Sequence, residues 1–156
     1  MNRKQTLKLT ALTLLFLLPP GARQAEAQGA RRLRFARGAA AAVGVLRPGT
    51  REARHVYAFR AKAGQRLSAR VTSGRLSVPG AGEVGAVFHV TDEQRNLPPG
   101  FGDYPYGGPT EWSGALPRDG LYRVVVFVED TPDDPDEAAL RRLKLSLRYR
   151  LRVTLR

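Results

Sequence analysis

Residues 143–155 alternate between apolar and polar side chains at every position. The apolar set is Leu143, Leu145, Leu147, Tyr149, Leu151, Val153 and Leu155, and the polar set is Lys144, Ser146, Arg148, Arg150, Arg152 and Thr154. Only a β-strand places two such sets on opposite faces, because successive side chains of a strand point in opposite directions. Strands usually run about 5 to 6 residues, so we expect a bend or bulge near the middle of this run.

Similar alternation recurs along the chain between short Gly- and Pro-containing turns. Residues 62–65 separate two alternating runs, whose apolar faces are Tyr57, Phe59 and Ala61, then Leu67, Ala69 and Val71. This spacing predicts a hairpin with a four-residue connection. Residues 121–128 are apolar at nearly every position, which is typical of a central strand covered on both faces.

The spacing of the turns indicates the fold class. Short strands separated by turns about every 8 to 12 residues, without a convincing helical stripe, predict an all-β fold. We therefore expect a small antiparallel β-sandwich of seven or eight strands, with a closed barrel as the alternative.

The N-terminus has the pattern of an export signal. Arg3, Lys4 and Lys8 precede an apolar run at 9–18, and Ala25 and Ala27 form the small-x-small pattern that signal peptidase needs. A membrane anchor is the rival interpretation, but a spanning helix needs about 20 apolar residues. We therefore expect a signal peptide at 1–27 and a single periplasmic or secreted domain at 28–156, without a membrane span after cleavage.

Composition limits how this domain is held together and what it attracts. The formal charge is +12, and about +9 remains after removal of residues 1–27. Polyanions will be attracted to such a surface. The chain has no cysteine, so burial of apolar area must stabilise the exported fold without disulfides.

Several short motifs suggest a family by their order and spacing. They are residues 35–39, YAFRAKAGQ at 57–65, AVFHV at 86–90, WSG at 112–114, LPRDGLY at 116–122 and YRLRV at 149–153. The chain resembles exported bacterial β-sandwich domains of the pre-peptidase C-terminal type and is similar to periplasmic inhibitors of g-type and i-type lysozymes. This resemblance implies a non-enzymatic protein whose Ser-Gly-x-Tyr loop enters the lysozyme cleft.

The stretch that matches this loop motif is Asp119, Gly120, Leu121 and Tyr122, with aspartate in place of serine. A lysozyme cleft holds catalytic carboxylates, so the aspartate would meet repulsion there. The alternative is purely structural: a Gly turn followed by Tyr is a common sandwich corner, in which the phenol bonds to nearby backbone.

A loop at 98–109, which we call the aromatic loop, contains Phe101, Tyr104 and Tyr106 and is followed by Trp112. Exposed aromatic rings on a loop stiffened by Pro and Gly favour binding to a partner, because rigid rings bury area at little entropic cost. Alternatively, some of these rings fold back as a lid over the sandwich.

A row of basic residues marks the polar face of the last predicted strand: Arg142, Lys144, Arg148, Arg150 and Arg152. We call this set the cationic row. Alternate residues lie roughly 6.6 to 6.8 Å apart, so the row can follow a glycan or other polyanion with a regular charge spacing. A solubilising face on a strand near a sheet edge is the simpler interpretation.

The sequence predicts neither an enzyme nor a cofactor. His55 and His89 are too few for a zinc site, and no serine has a nucleophile-elbow context. The acidic loop at 129–137 offers oxygen ligands but lacks EF-hand spacing. The resemblance implies a lysozyme-like muramidase as partner, and the cationic row suggests an anionic envelope polymer instead. No specific nucleic acid is expected.

Overall fold

Ten strands are present in the computed structural model, which describes residues 29–78, 82–102, 104, 107–129 and 142–156. They are β1 (Arg31–Arg32), β2 (Ala39–Leu46), β3 (Arg54–Ala61), β4 (Arg66–Ser73), β5 (Leu76–Val78), β6 (Gly82–Val84), β7 (Ala86–Thr91), β8 (Glu111–Ala115), β9 (Gly120–Val128) and β10 (Leu147–Leu155). A short 3-10 helix spans Arg51–Ala53.

Eight of these strands form two four-stranded sheets. The first sheet has the order β1-β3-β9-β7, the second has the order β2-β10-β4-β8, and β5 pairs with β6 in a separate small hairpin. Every pairing is antiparallel except that of β1 with β3. The predicted small antiparallel β-sandwich is therefore confirmed.

The core lies between the inner faces of the two sheets. Phe59, Phe88, Tyr122, Val124 and Val126 reach it from the first sheet, and Leu46, Leu67, Leu147, Leu151 and Val153 reach it from the second. All ten side chains are at most 3% exposed. This burial supplies the main stabilising term of a fold that has no disulfide.

The two faces of β10 are as predicted, but the prediction of a bend or bulge near the middle of the run is wrong. Leu147, Tyr149, Leu151 and Val153 are buried, whereas the arginines between them are exposed. The register with β2 and β4 continues without a break through the middle of the strand. The chain departs from strand geometry earlier, at Lys144 with a φ of 49°, and Leu143 is 43% exposed.

The predicted hairpin around 62–65 is wrong. β3 belongs to the first sheet and β4 to the second, so this turn crosses between sheets. The Gly64 N–H donates to the Leu116 carbonyl, and the Leu116 N–H donates to the Gln65 carbonyl. The inward faces were assigned correctly, because both runs bury their apolar sides in the same core.

Strand β9 is central, as its apolar run predicted, with β3 and β7 on its two sides. Val124 and Val126 face the core, whereas Val125 lies on the outer face and is still only 8% exposed. The outer face of this sheet is therefore partly covered.

Candidate functional site

The aromatic loop closes one side of the sandwich between the edge strands β7 and β8. Phe101 and Trp112 are buried, with ring centroids 5.3 Å apart, and Phe101 also meets Phe88 of the core at 6.3 Å. The Trp112 indole N–H donates to the Gly100 carbonyl at 3.1 Å. The Phe88 N–H donates to the Pro109 carbonyl, which joins the end of the loop to β7.

These contacts divide the aromatic residues into two groups. Phe101 and Trp112 hold the loop against the core, whereas Tyr104 is only half-buried and packs edge-on against Phe101 with a centroid separation of 5.5 Å. Tyr106 lies outside the described residues. Among the described rings of the loop, Tyr104 keeps the most surface for contact with a partner.

The turn at 117–120, which we call the rim turn, is anchored at both ends. The Tyr122 side chain is 1% exposed, and its hydroxyl donates to the Arg118 carbonyl at 2.9 Å and accepts from the Arg118 N–H at 3.3 Å. Asp119 Oδ1 accepts from the Ala63 N–H at 2.7 Å. Tyr122 therefore makes the sandwich corner, and Asp119 ties the rim turn to the turn between β3 and β4.

The rim turn forms a ridge, because Asp119 and Gly120 line a hollow on each side of it. The smaller hollow, about 120 Å³, is bounded also by Asp92 and Gln94. The larger, about 600 Å³, is bounded also by Lys62. Gly120 has a φ of +152°, which residues with side chains rarely adopt.

Removal of the Tyr122 hydroxyl tests its role at the corner. We expect Tyr122→Phe to lower the free energy of unfolding by about 1 kcal/mol, because both Arg118 backbone groups lose a buried partner. Denaturant titration measures this loss. The half-exposed Tyr104→Phe serves as the matched control, and equal stability of the two variants would contradict the assigned role.

The cationic row lies where the sequence predicted, on the polar face of the last strand. Arg148, Arg150 and Arg152 are exposed on β10, and Arg142 and Lys144 are exposed before it. β10 runs between β2 and β4, next to the sheet edge that β2 forms. The small side chains of Ala41 and Val43 adjoin the row on β2.

The two histidines lie on opposite faces of the first sheet. His55 faces inward, where its Nδ1 lies 2.7 Å from the Tyr149 hydroxyl. Burial, together with Arg31 and Arg47, lowers the pKa of His55. His89 faces outward against Phe127, with ring centroids 5.3 Å apart, so the two cannot share a metal ion.

No group of three or more metal-ligating side chains occurs among the described residues. The acidic loop lies outside them except for Glu129, whose carboxylate accepts hydrogen bonds from Arg75 and from the Gly85 N–H. No helix in the described part of the chain is long and apolar enough to cross a membrane.

Comparison with known proteins identifies the fold. The sequence matches no family model and no curated protein. The structure is similar to Aeromonas hydrophila PliG, a periplasmic inhibitor of g-type lysozyme, with 24% identity, a TM-score of 0.52, and coverage of 81% of this chain and 96% of that one. This likeness confirms the predicted resemblance at the level of the fold.

Two further solved structures show weaker similarity. The PliG of Salmonella Typhimurium has 18% identity and a TM-score of 0.47 over 81% of this chain and 98% of that one. A pre-peptidase C-terminal domain of a Bacillus anthracis collagenase has 14% identity and a TM-score of 0.40 over 81% and 94% of the two chains.

Proposed function

We propose that this chain is an exported, non-enzymatic binding protein of the cell envelope that inhibits a lysozyme through its rim turn. The observation that carries the proposal is the ridge at Asp119 and Gly120, with a hollow on each side. This ridge occupies the sequence position where the resemblance places the inhibitory loop. The fold shared with an inhibitor of g-type lysozyme supports the same assignment.

The anchoring of the rim turn favours insertion into a cleft. Tyr122 and Asp119 fix the turn by side-chain hydrogen bonds to the backbone of Arg118 and Ala63. A turn that is already ordered loses little conformational entropy when it binds. Proteins with such preorganised contact surfaces bind with small backbone changes.

Charge on one side of the rim turn also favours an acidic partner. Arg60 and Lys62 line the larger hollow beside Asp119, where the catalytic carboxylates of a lysozyme cleft would meet these two cations. The smaller hollow has mixed charge, because Asp92 and Glu93 line it together with Arg118. The bond from the Ala63 N–H partly offsets the charge of Asp119.

Replacement of Asp119 tests the rim turn directly. We expect Asp119→Ser to strengthen inhibition by about fivefold, because removal of one surface charge near the carboxylates is worth about 1 kcal/mol. Asp119→Asn is the matched variant, since its amide oxygen can still accept from Ala63 while the charge is gone. Hydrolysis of cell walls by g-type, i-type and c-type lysozymes is the measurement.

The pair of variants separates charge from shape. If both variants inhibit lysozyme more strongly than the wild type, charge repulsion by Asp119 weakens binding. If only Asp119→Ser inhibits more strongly, binding requires the smaller side chain. If neither variant nor the wild type slows any lysozyme class at micromolar protein, the inhibitor proposal fails. Tyr104 and Tyr106 of the loop at 98–109 remain proposed partner contacts.

The second candidate is a module that binds a glycan or other polyanion through the cationic row. This candidate is supported by Arg148, Arg150 and Arg152, which are exposed along one face of β10 between β2 and β4. Salt distinguishes the two functions, because exposed arginine contacts are screened, whereas a turn inserted into a cleft keeps its packing contacts.

A further inference from the structure

A groove of about 670 Å³ lies on the outer face of the first sheet, whereas the cationic row lies on the second sheet. Val56 of β3 and Val125 of β9 form its floor, where they are direct cross-strand partners. Leu97 and Tyr104 form a wall on the side of the aromatic loop. The groove thus has an apolar floor and an aromatic ring in its wall.

Cations lie on both sides of this floor. Arg54 precedes Val56 by two residues on β3, and Arg123 precedes Val125 by two residues on the antiparallel strand β9. The two arginines therefore lie at opposite ends of the valine pair, about 13 Å apart along the strands at 3.3 to 3.4 Å per residue. Both side chains line the groove.

These charges have no carboxylate beside them in the described part of the chain. None of the residues that line the groove is Asp or Glu, and the ion pairs found among described residues involve Arg47, Arg70, Arg75 and Arg118. Arg123 donates a long hydrogen bond, 3.5 Å, to the Asp92 carbonyl. A concave surface with arginines and no acidic side chain among its described lining residues favours an anionic ligand.

His89 adds a polar group at the side of the floor, since it is the cross-strand partner of Val125 from β7. Burial and the nearby Arg54 lower the pKa of His89. The ring is therefore mainly neutral near pH 7 and can both donate and accept a hydrogen bond, as ligand hydroxyl groups require.

We infer that this groove binds a short acidic oligosaccharide. The apolar faces of its sugar rings would lie on Val56 and Val125 and against Tyr104, and its carboxylates would meet Arg54 and Arg123. A nucleic acid needs a longer track of cations, and a fatty acid needs an enclosed pocket that buries most of its surface.

The test compares one acid with its uncharged analogue. Trigalacturonic acid and its fully methyl-esterified form are titrated into the purified protein by calorimetry at physiological salt. We expect saturable binding of the acid and at least tenfold weaker binding of the ester, because charge-assisted hydrogen bonds contribute about twice as much as neutral ones. Arg54→Ala should weaken binding of the acid by about tenfold.

Arg66→Ala is the matched control, because it removes one exposed arginine of the opposite sheet that lies outside the cationic row. It should leave the affinity unchanged. Equal affinity for acid and ester, equal losses in the two variants, or no binding at millimolar acid would each overturn the inference. Lysozyme inhibition should be the same in Arg54→Ala and wild type, so this test and that of the rim turn can fail separately.

Discussion

Leu151→Asp should leave the domain unfolded at room temperature, whereas Arg150→Asp should melt within a few degrees of the wild type. Leu151 is 0% exposed at the centre of β10, and no polar or charged residue is buried among the described residues. A carboxylate at this position would have no cation to pair with. Burial of an unpaired charge costs several kcal/mol, and a domain of this size is stable by only about 5 to 15 kcal/mol.

Circular dichroism during heating is the measurement for both variants. Arg150 is the matched position, because it neighbours Leu151 in the same strand and its side chain points to solvent. Its neighbours across the strands are Val43 and Thr72, so the aspartate meets no like charge directly opposite. Equal losses in the two variants would mean that the faces of β10 are reversed.

The faces of the strands were predictable because alternation is a local property. Leu151 is buried and Arg150 is exposed because they point to opposite faces of β10, as their alternating polarity indicates. The alternation around Tyr57 and Leu67 likewise identified side chains that are buried on the inner faces. The partners of the strands were not predictable. A four-residue turn at 62–65 suits a hairpin or a crossing between sheets, and the choice depends on the distant partners Leu116 and Asp119.

The candidate sites also combine features that a local motif predicts with features that depend on distant contacts. The Gly-x-Tyr pattern indicated the corner at Tyr122, because the motif is contiguous in sequence. The burial of Phe101 and Trp112 depends on Phe88 and on the edges of two sheets, which sequence spacing does not reveal. The groove was missed because the pairing of β3 with β9 brings Arg54 and Arg123 to the same face of the sheet. The available signal was Arg123 within the apolar run at 121–128.

Core packing around β2 depends on one glycine beside three hydrogen-bonded side chains. The Tyr149 hydroxyl lies 2.6 Å from the Tyr57 hydroxyl and 2.7 Å from His55 Nδ1. Burial, together with the hydrogen bond from Tyr57, raises the pKa of Tyr149, so the phenol stays protonated and can donate. A Cβ added at Gly44 would lie 2.6 Å from this hydroxyl and 2.7 Å from the same histidine nitrogen.

Gly44→Ala should therefore lower the free energy of unfolding by about 3 kcal/mol. The methyl group must displace the Tyr149 ring, and the loss combines overpacking with buried groups deprived of hydrogen bonds. Thermal denaturation should show a fall of about 10 °C. Gly74→Ala is the matched control, because a Cβ there meets nothing within 4 Å and should change stability by less than about 0.5 kcal/mol.

A second substitution identifies which atoms obstruct the methyl group. Tyr149→Phe in the Gly44→Ala background removes the nearest oxygen but keeps the ring carbon that lies 2.7 Å from the added Cβ. We therefore expect partial recovery relative to Gly44→Ala alone. If Gly44→Ala is as stable as Gly74→Ala, the three side chains can move apart without loss, and they do not fix the spacing between the sheets.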